Sequence, residues 1–163
     1  MKKNLVLLGM MAVGKTTMAK IVAEKLKLEF IDIDSIIEKK NSMKIGEIFE
    51  KKGESFFRLE EEKEVLKSLK KSNCVIALGG GAFINQIIRE NVLKNAISIW
   101  LDADIKILAE RTEWSQKRPL LKTNNNEKTL KEIYEKRKEI YKLADHNILC
   151  DKLQKENLTK KNN

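Results

Sequence analysis

One proline, two cysteines, one histidine and five arginines stand in a chain of 163 residues. Each scarcity excludes something. Two cysteines, Cys74 and Cys150, cannot staple a disulfide scaffold; both lie in apolar runs, which fits a reducing, cytoplasmic setting. The lone His146 belongs to no Cys/His/acid cluster with metal-site spacing, so it reads as structural rather than as a metal ligand or base. No apolar run approaches the roughly 18 residues of a membrane-spanning helix, so no membrane partner is expected. The stretch Met1–Gly9 looks briefly like a leader, but its apolar core is too short for one.

Charge is abundant. Charged residues make up 35% of the chain and the net charge is +9. Of 33 basic residues, 28 are lysine. Such a balance invites a nucleic-acid reading. The lysines are interleaved with 24 acids, however, as in Glu60–Glu64, and that pattern marks solvated helix faces. The arginines carry more information. Arginine offers carboxylates and phosphates a planar two-pronged fork that lysine lacks. They are Arg58, Arg89, Arg111, Arg118 and Arg137.

The length favours one domain over residues 1–163. Five short apolar runs predict buried strands at Leu5–Leu8, Phe30–Ile33, Cys74–Leu78, Ile97–Leu101 and Asn147–Cys150. Helical periodicity lies between them, at Thr16–Leu26, Ile45–Lys51, Phe56–Leu69, Ile84–Leu93, Ile105–Arg111 and Leu130–Leu143. Alternation of this kind predicts an α/β fold, a five-stranded parallel sheet with helices on both faces. Residues 113–127 hold Pro119 and the run Asn124–Asn126, and read as a long lid loop. Residues 151–163 form a polar C-terminal segment that frays.

Gly9-Met-Met-Ala-Val-Gly14-Lys15-Thr16 matches the phosphate-binding pattern G-x-x-x-x-G-K-[ST], after a strand and before a helix. Such a loop turns backbone N–H groups inward on a phosphate, and the helix N-terminus adds positive potential. Gly9, Met11, Ala12, Val13, Gly14, Lys15, Thr16 and Thr17 are the phosphate-binding candidates. Lys15 is placed to reach the outer phosphates and Thr16 to ligate Mg²⁺. The motif names a nucleotide but not a reaction.

Further residues narrow the choice. Asp32 and Asp34 lie at the end of the second predicted strand, where alternate residues share a face, so both can face the phosphate loop. The alternative for Asp34 is a helix cap ahead of Ser35-Ile36-Ile37. Asp102, ending the strand Ile97–Leu101, is a rival metal residue or a cap. Gly79-Gly80-Gly81 follows the third strand and implies close backbone approach to a ligand. Arg58, Arg118 and Arg137 are candidate anion holders; Arg111 equally fits a charge at a helix end.

In order, the chain shows the phosphate loop, Asp32-Ile33-Asp34, a G-E-x-x-F-R-x-x-E run at Gly53–Glu61, the triple glycine, Arg118-Pro119-Leu120-Leu121, and Arg137-x-x-x-Tyr141. This series resembles shikimate kinase over essentially the whole length. The resemblance implies strand order 2-3-1-4-5 and ATP-dependent phosphorylation of the shikimate 3-hydroxyl, with Mg²⁺ as cofactor. It implies that Asp34, Arg58, Gly79, Gly80, Gly81 and Arg137 bind shikimate, with Phe49 and Phe57 walling the pocket and Glu61 bracing Arg58. Residues 34–62 become the substrate-binding subregion. Lys15, Asp34 and Arg118 become the catalytic set, Arg118 also binding ATP phosphate; Thr16 and Asp32 manage the metal, and Arg111 flanks adenine. The chain is then a cytoplasmic monomer acting on two small molecules, with no nucleic acid. One departure is Ala12, where the family commonly has glycine; a Cβ there is comfortable only at negative φ. The rivals are another P-loop small-molecule kinase, such as a gluconate or nucleoside monophosphate kinase, and a nucleic-acid-binding P-loop module. Against a nucleotide acceptor stand the two carboxylate-holding arginines and the triple glycine.

Overall fold

The computed structural model describes residues 3–113 and 126–150. Five strands, β1 (Asn4–Leu8), β2 (Glu29–Asp32), β3 (Cys74–Ala77), β4 (Ala96–Asp102) and β5 (His146–Leu149), form one sheet in the order β2-β3-β1-β4-β5. Every neighbouring pair is parallel. Parallel strands buried on both faces read as unbroken apolar runs, and this is why the three central strands were legible. Val6, Leu7, Leu8, Val75 and Ile76 are all within 2% of full burial.

Among the described residues seven helices surround the sheet: α1 (Lys15–Leu26), α2 (Ile33–Asn41), α3 (Ile45–Lys52), α4 (Glu54–Leu69), α5 (Gln86–Asn95), α6 (Ile105–Glu113) and α7 (Asn126–Tyr141). The crossover from β2 to β3 carries three of them, so the region 34–62 is helical from end to end apart from two short joints. Gly53, at φ 87°, separates α3 from α4. Lys40 on α2 reaches Glu60 at 3.2 Å and Glu64 at 3.3 Å on α4, tying the first helix of this excursion to the last.

Several boundaries differ from the sequence reading. The second strand stops at Asp32, and Ile33 already opens α2. Asp32, not Asp34, caps that helix: its Oδ1 accepts from the Ser35 N–H at 3.2 Å. Asp34 therefore stands in the first helical turn, and the alternate-residue argument that paired it with Asp32 does not apply. The run Ile84–Leu93 divides into a 3-10 turn (Ala82–Ile84) and α5, because Asn85 caps α5 by accepting from Ile87 and Ile88 N–H. β5 is not buried: it is an edge strand with all four residues exposed. The loop expected at 113–127 gives up its ends to helices, residue 113 to α6 and residues 126–127 to α7. Its remainder, with Trp114 and Arg118, and the segment 151–163 lie outside the described residues. Among the described residues no helix is long and apolar enough to cross a membrane.

Candidate active site

The site gathers at the carboxyl ends of β1, β2 and β3, the standard crevice of an open parallel sheet. The phosphate loop leaves β1 at Gly9. A Cβ on Gly9 would collide with the Leu101 carbonyl of β4, so only glycine lets the loop start this close to the sheet. Gly14, at φ 103°, turns the chain into α1 as its N-cap. Ala12 adopts φ 66°. The negative φ at which a Cβ would be comfortable is not adopted: the loop keeps its left-handed turn and carries a Cβ in it, at a cost of roughly 1–2 kcal/mol. Alternating hand along successive residues is what points neighbouring N–H groups into one concavity, so the turn is retained.

Lys15 donates to the carbonyls of Gly9 at 2.6 Å and Met10 at 2.9 Å, folding back over the loop. Thr16 Oγ1 donates to Asp32 Oδ2 at 2.8 Å. That bond brings the two predicted metal residues together, one from the first turn of α1 and one from the end of β2. Asp102, the rival, is employed elsewhere: it accepts from the Ala103 N–H at 2.9 Å and from the Tyr134 hydroxyl at 3.3 Å. Burial, with the Asp102 charge adding to it, pushes the Tyr134 phenol up to about 12. A cleft of about 210 Å³ is lined by Met11, Ala12, Gly14, Lys15, Thr16, Thr17, Asp32, Asp34, Leu78 and Gly80. Thus both aspartates and the phosphate loop do face one space, although by a different backbone route than expected.

Across the cleft each glycine of the triple run has its own counterpart. A Cβ on Gly79 would lie 2.8 Å from Asp34 Oδ1 and 2.9 Å from Glu61 Oε2. On Gly80 it would lie 3.4 Å from Arg137 Nη1, and on Gly81 2.8 Å from both terminal nitrogens of Arg58. The backbone here is a floor on which the predicted substrate-binding side chains rest. Arg58 sits on α4 between two acids: it donates to Glu61 Oε1 at 2.9 Å and pairs with Glu54 at 3.5 Å. Glu61 is 1% exposed. Burial raises the Glu61 carboxyl above its ordinary value, and the Arg58 cation opposes that rise. Phe49 and Phe57 meet at 5.1 Å with rings tilted by 51°, and Phe57 is buried beside the Arg58 guanidinium.

Sequence reasoning missed how the site is held. Tyr141, fully buried, donates to the Gly80 carbonyl at 2.6 Å. Arg89, to which no task had been given, donates to the Phe83 and Ile84 carbonyls at 3.1 and 3.0 Å, closing the 3-10 turn behind the triple glycine. Arg111 donates to the carbonyls of Ala12 and Val13 at 3.2 and 3.3 Å. Spacing in the sequence could not reveal the Tyr141 and Arg111 contacts, because they join residues that only the fold brings together; the Arg89 contact is local. His146 is exposed at the start of β5 and takes no part.

A model of the family described as shikimate kinase matches residues 11–162. The chain belongs to the shikimate kinase family. A shikimate kinase of Sulfurihydrogenibium sp. is 41% identical over 150 residues, covering 92% of this chain and 89% of that one. One from Bartonella quintana is 46% identical over 147 residues, covering 90% and 70%. Among solved structures, the shikimate kinase of Acinetobacter baumannii in complex with shikimate superposes with a TM-score of 0.87 at 34% identity, covering 90% of this chain and 83% of that one. That of Aquifex aeolicus gives 0.77 at 32% identity, over 90% and 86%. The strand order found here is the one that family membership implies. Shikimate kinase ancestry also accounts for the match of all the motifs in order, which no single P-loop would.

Proposed function

We propose that this chain transfers the γ-phosphoryl group of ATP to the 3-hydroxyl of shikimate, giving shikimate 3-phosphate and ADP. One observation carries the reading of the acceptor site. Arg137 Nη1 is buried, beside Gly80, and has no hydrogen-bond partner among the described residues. A buried guanidinium N–H without an acceptor is costly, and a substrate carboxylate supplies one. Arg58, braced by Glu61 and Glu54, offers the second fork.

In this reading the carboxylate is fixed by Arg58 and Arg137, against Phe49 and Phe57. Asp34, in the cleft beside Lys15, accepts the hydrogen bond of the reacting hydroxyl and orients it. The hydroxyl oxygen attacks the γ-phosphorus as the bond to the bridging oxygen breaks. ADP leaves, and the hydroxyl proton passes to Asp34 or to water. Lys15 and the loop N–H groups of Gly9–Thr17 neutralise the phosphates; Arg118 joins them from outside the described residues, and Arg111 flanks adenine. Such transfers depend on positioning and charge neutralisation. For Mg²⁺, the adjoining Thr16 hydroxyl and Asp32 carboxylate are hard oxygen donors of the kind it takes. Bound there, the ion would offset phosphate charge. The same reading makes the protein a cytoplasmic monomer on two small molecules, without a nucleic-acid or membrane partner.

The test is ADP release with shikimate against a panel of polyols, hydroxy acids and nucleotides. Shikimate-dependent release, lost in Arg137→Lys while the fold persists, is the expected result. Release driven by another acceptor and not by shikimate would overturn the proposal.

A further inference from the structure

Arg111 stands near the end of α6, 99 residues from Ala12 in sequence, yet one of its terminal nitrogens donates to the Ala12 and Val13 carbonyls together. Ala12 is also the one residue of the phosphate loop other than glycine that holds a positive φ, 66°. The two facts meet at a single peptide group. A loop that turns its N–H groups onto a phosphate turns its carbonyls outward. The outward carbonyls at the strained point are the ones Arg111 holds.

We propose that Arg111 is a positioning residue for the phosphate loop, holding Ala12 in the left-handed turn that its Cβ disfavours. Glycine at this position would take the turn without help. Alanine gives up part of that preference, and the two hydrogen bonds from Arg111 restore it by fixing the two peptide planes that follow Ala12. Polyphosphate then meets a preformed cradle rather than one that must be ordered on binding. This role is separate from any contact with adenine: a guanidinium can give one edge to carbonyls and keep a face for a base. The inference rests on the reading of residues 9–16 as a phosphate loop.

Calorimetric titration with inorganic tripolyphosphate, which has no base, separates the two roles. Arg111→Met keeps the aliphatic stem and removes the donors; Arg111→Gln, too short to span both carbonyls, gives the same comparison if R111M does not fold. Each is made with alanine at position 12 and again in the A12G background, and thermal midpoints confirm folding. With Ala12 present, loss of Arg111 is expected to weaken tripolyphosphate about tenfold, the equivalent of about one net hydrogen bond. With A12G the loss shrinks to about threefold or less. Equal losses in both backgrounds overturn the proposal, as does a loss confined to ATP with tripolyphosphate untouched. Tripolyphosphate binding that ignores Lys15→Ala would overturn the reading of the loop itself, and the anchor with it.

Discussion

The Tyr141 hydroxyl donates to the Gly80 carbonyl at 2.6 Å, so the last turn of α7 is bolted to the middle of the triple glycine. The same helix presents Arg137 one turn earlier, against the same glycine. Tyr141 rings Trp100 at 5.7 Å on its other side, which fixes the phenol from behind.

Tyr141→Phe keeps that packing and orphans the carbonyl. The Gly80 carbonyl is half-buried at the cleft, so the expected cost in stability is about 1 kcal/mol, the net worth of one hydrogen bond. Because the bond sets the distance between Arg137 and the glycine floor, KM for shikimate should rise more than KM for ATP. Urea unfolding and steady-state kinetics measure the two effects separately. Equal changes in both KM values would show that Tyr141 serves stability alone.

The three glycines should not be equal under substitution by alanine. At Gly79 and Gly81 the new methyl would press on carboxylate or guanidinium groups at 2.8–2.9 Å, closer than a Cβ tolerates. Those neighbours are side-chain ends that can move, so the fold should survive while the site does not. Gly79→Ala is expected to cost mainly kcat through Asp34, and Gly81→Ala mainly KM for shikimate through Arg58. Gly80→Ala, with contacts at 3.4 and 3.5 Å, should be the mildest. Parallel kinetics and melting curves for the three variants check the order.

Glu61 supplies a pH dependence. Burial holds its carboxyl above the ordinary 4.5, with Asp34 raising it further and Arg58 and Arg137 opposing. As pH falls, Glu61 is protonated before an ordinary glutamate would be, and Arg58 loses its ionic brace. KM for shikimate should therefore climb on acidification at pH values above 4.5. Glu61→Gln should start from a KM already raised, about tenfold, and show a flattened profile. Stability runs the other way. A raised folded-state pKa stabilises the fold fully below the unfolded value, and that contribution is lost as pH rises through the folded value. Denaturation midpoints of wild type and Glu61→Gln across the acid range test the sign.

Thr16 and Asp32 make a fourth prediction. Thr16→Val removes the donor that reaches Asp32 at 2.8 Å, and with it one hard oxygen. The expected result is a higher Mg²⁺ requirement, read as a rightward shift of the activation curve at fixed ATP, with KM for shikimate nearly unchanged. A shift in the shikimate constant of equal size would place Thr16 with the acceptor instead.

What could be read in advance follows from what a short window contains. Val6–Leu8 and Val75–Ala77 announce themselves because strands covered on both faces are apolar throughout. The β5 residues Ile148 and Leu149 mislead for the converse reason: an edge strand can be apolar and still face outward. The start of α2 hid because Ile33, Ile36 and Ile37 prolong the apolar signal of β2, and only the cap made by Asp32 marks the change. Motif residues such as Lys15, Arg58 and Arg137 were visible by type. The positions of their neighbours were not, since Tyr141 to Gly80 and Arg111 to Ala12 are contacts between segments 61 and 99 residues apart.

That distance also bears on how the protein comes into being on the ribosome. The phosphate loop is made well before β4 and α6, but Gly9 rests on Leu101, and Ala12 and Val13 hang from Arg111. A nascent chain that has emerged only through α5 has the whole nucleotide motif and none of its outer support. Polyphosphate affinity should therefore appear late in synthesis, in step with the arrival of β4 and α6 beside β1. The motif is written before its supports and works only after them.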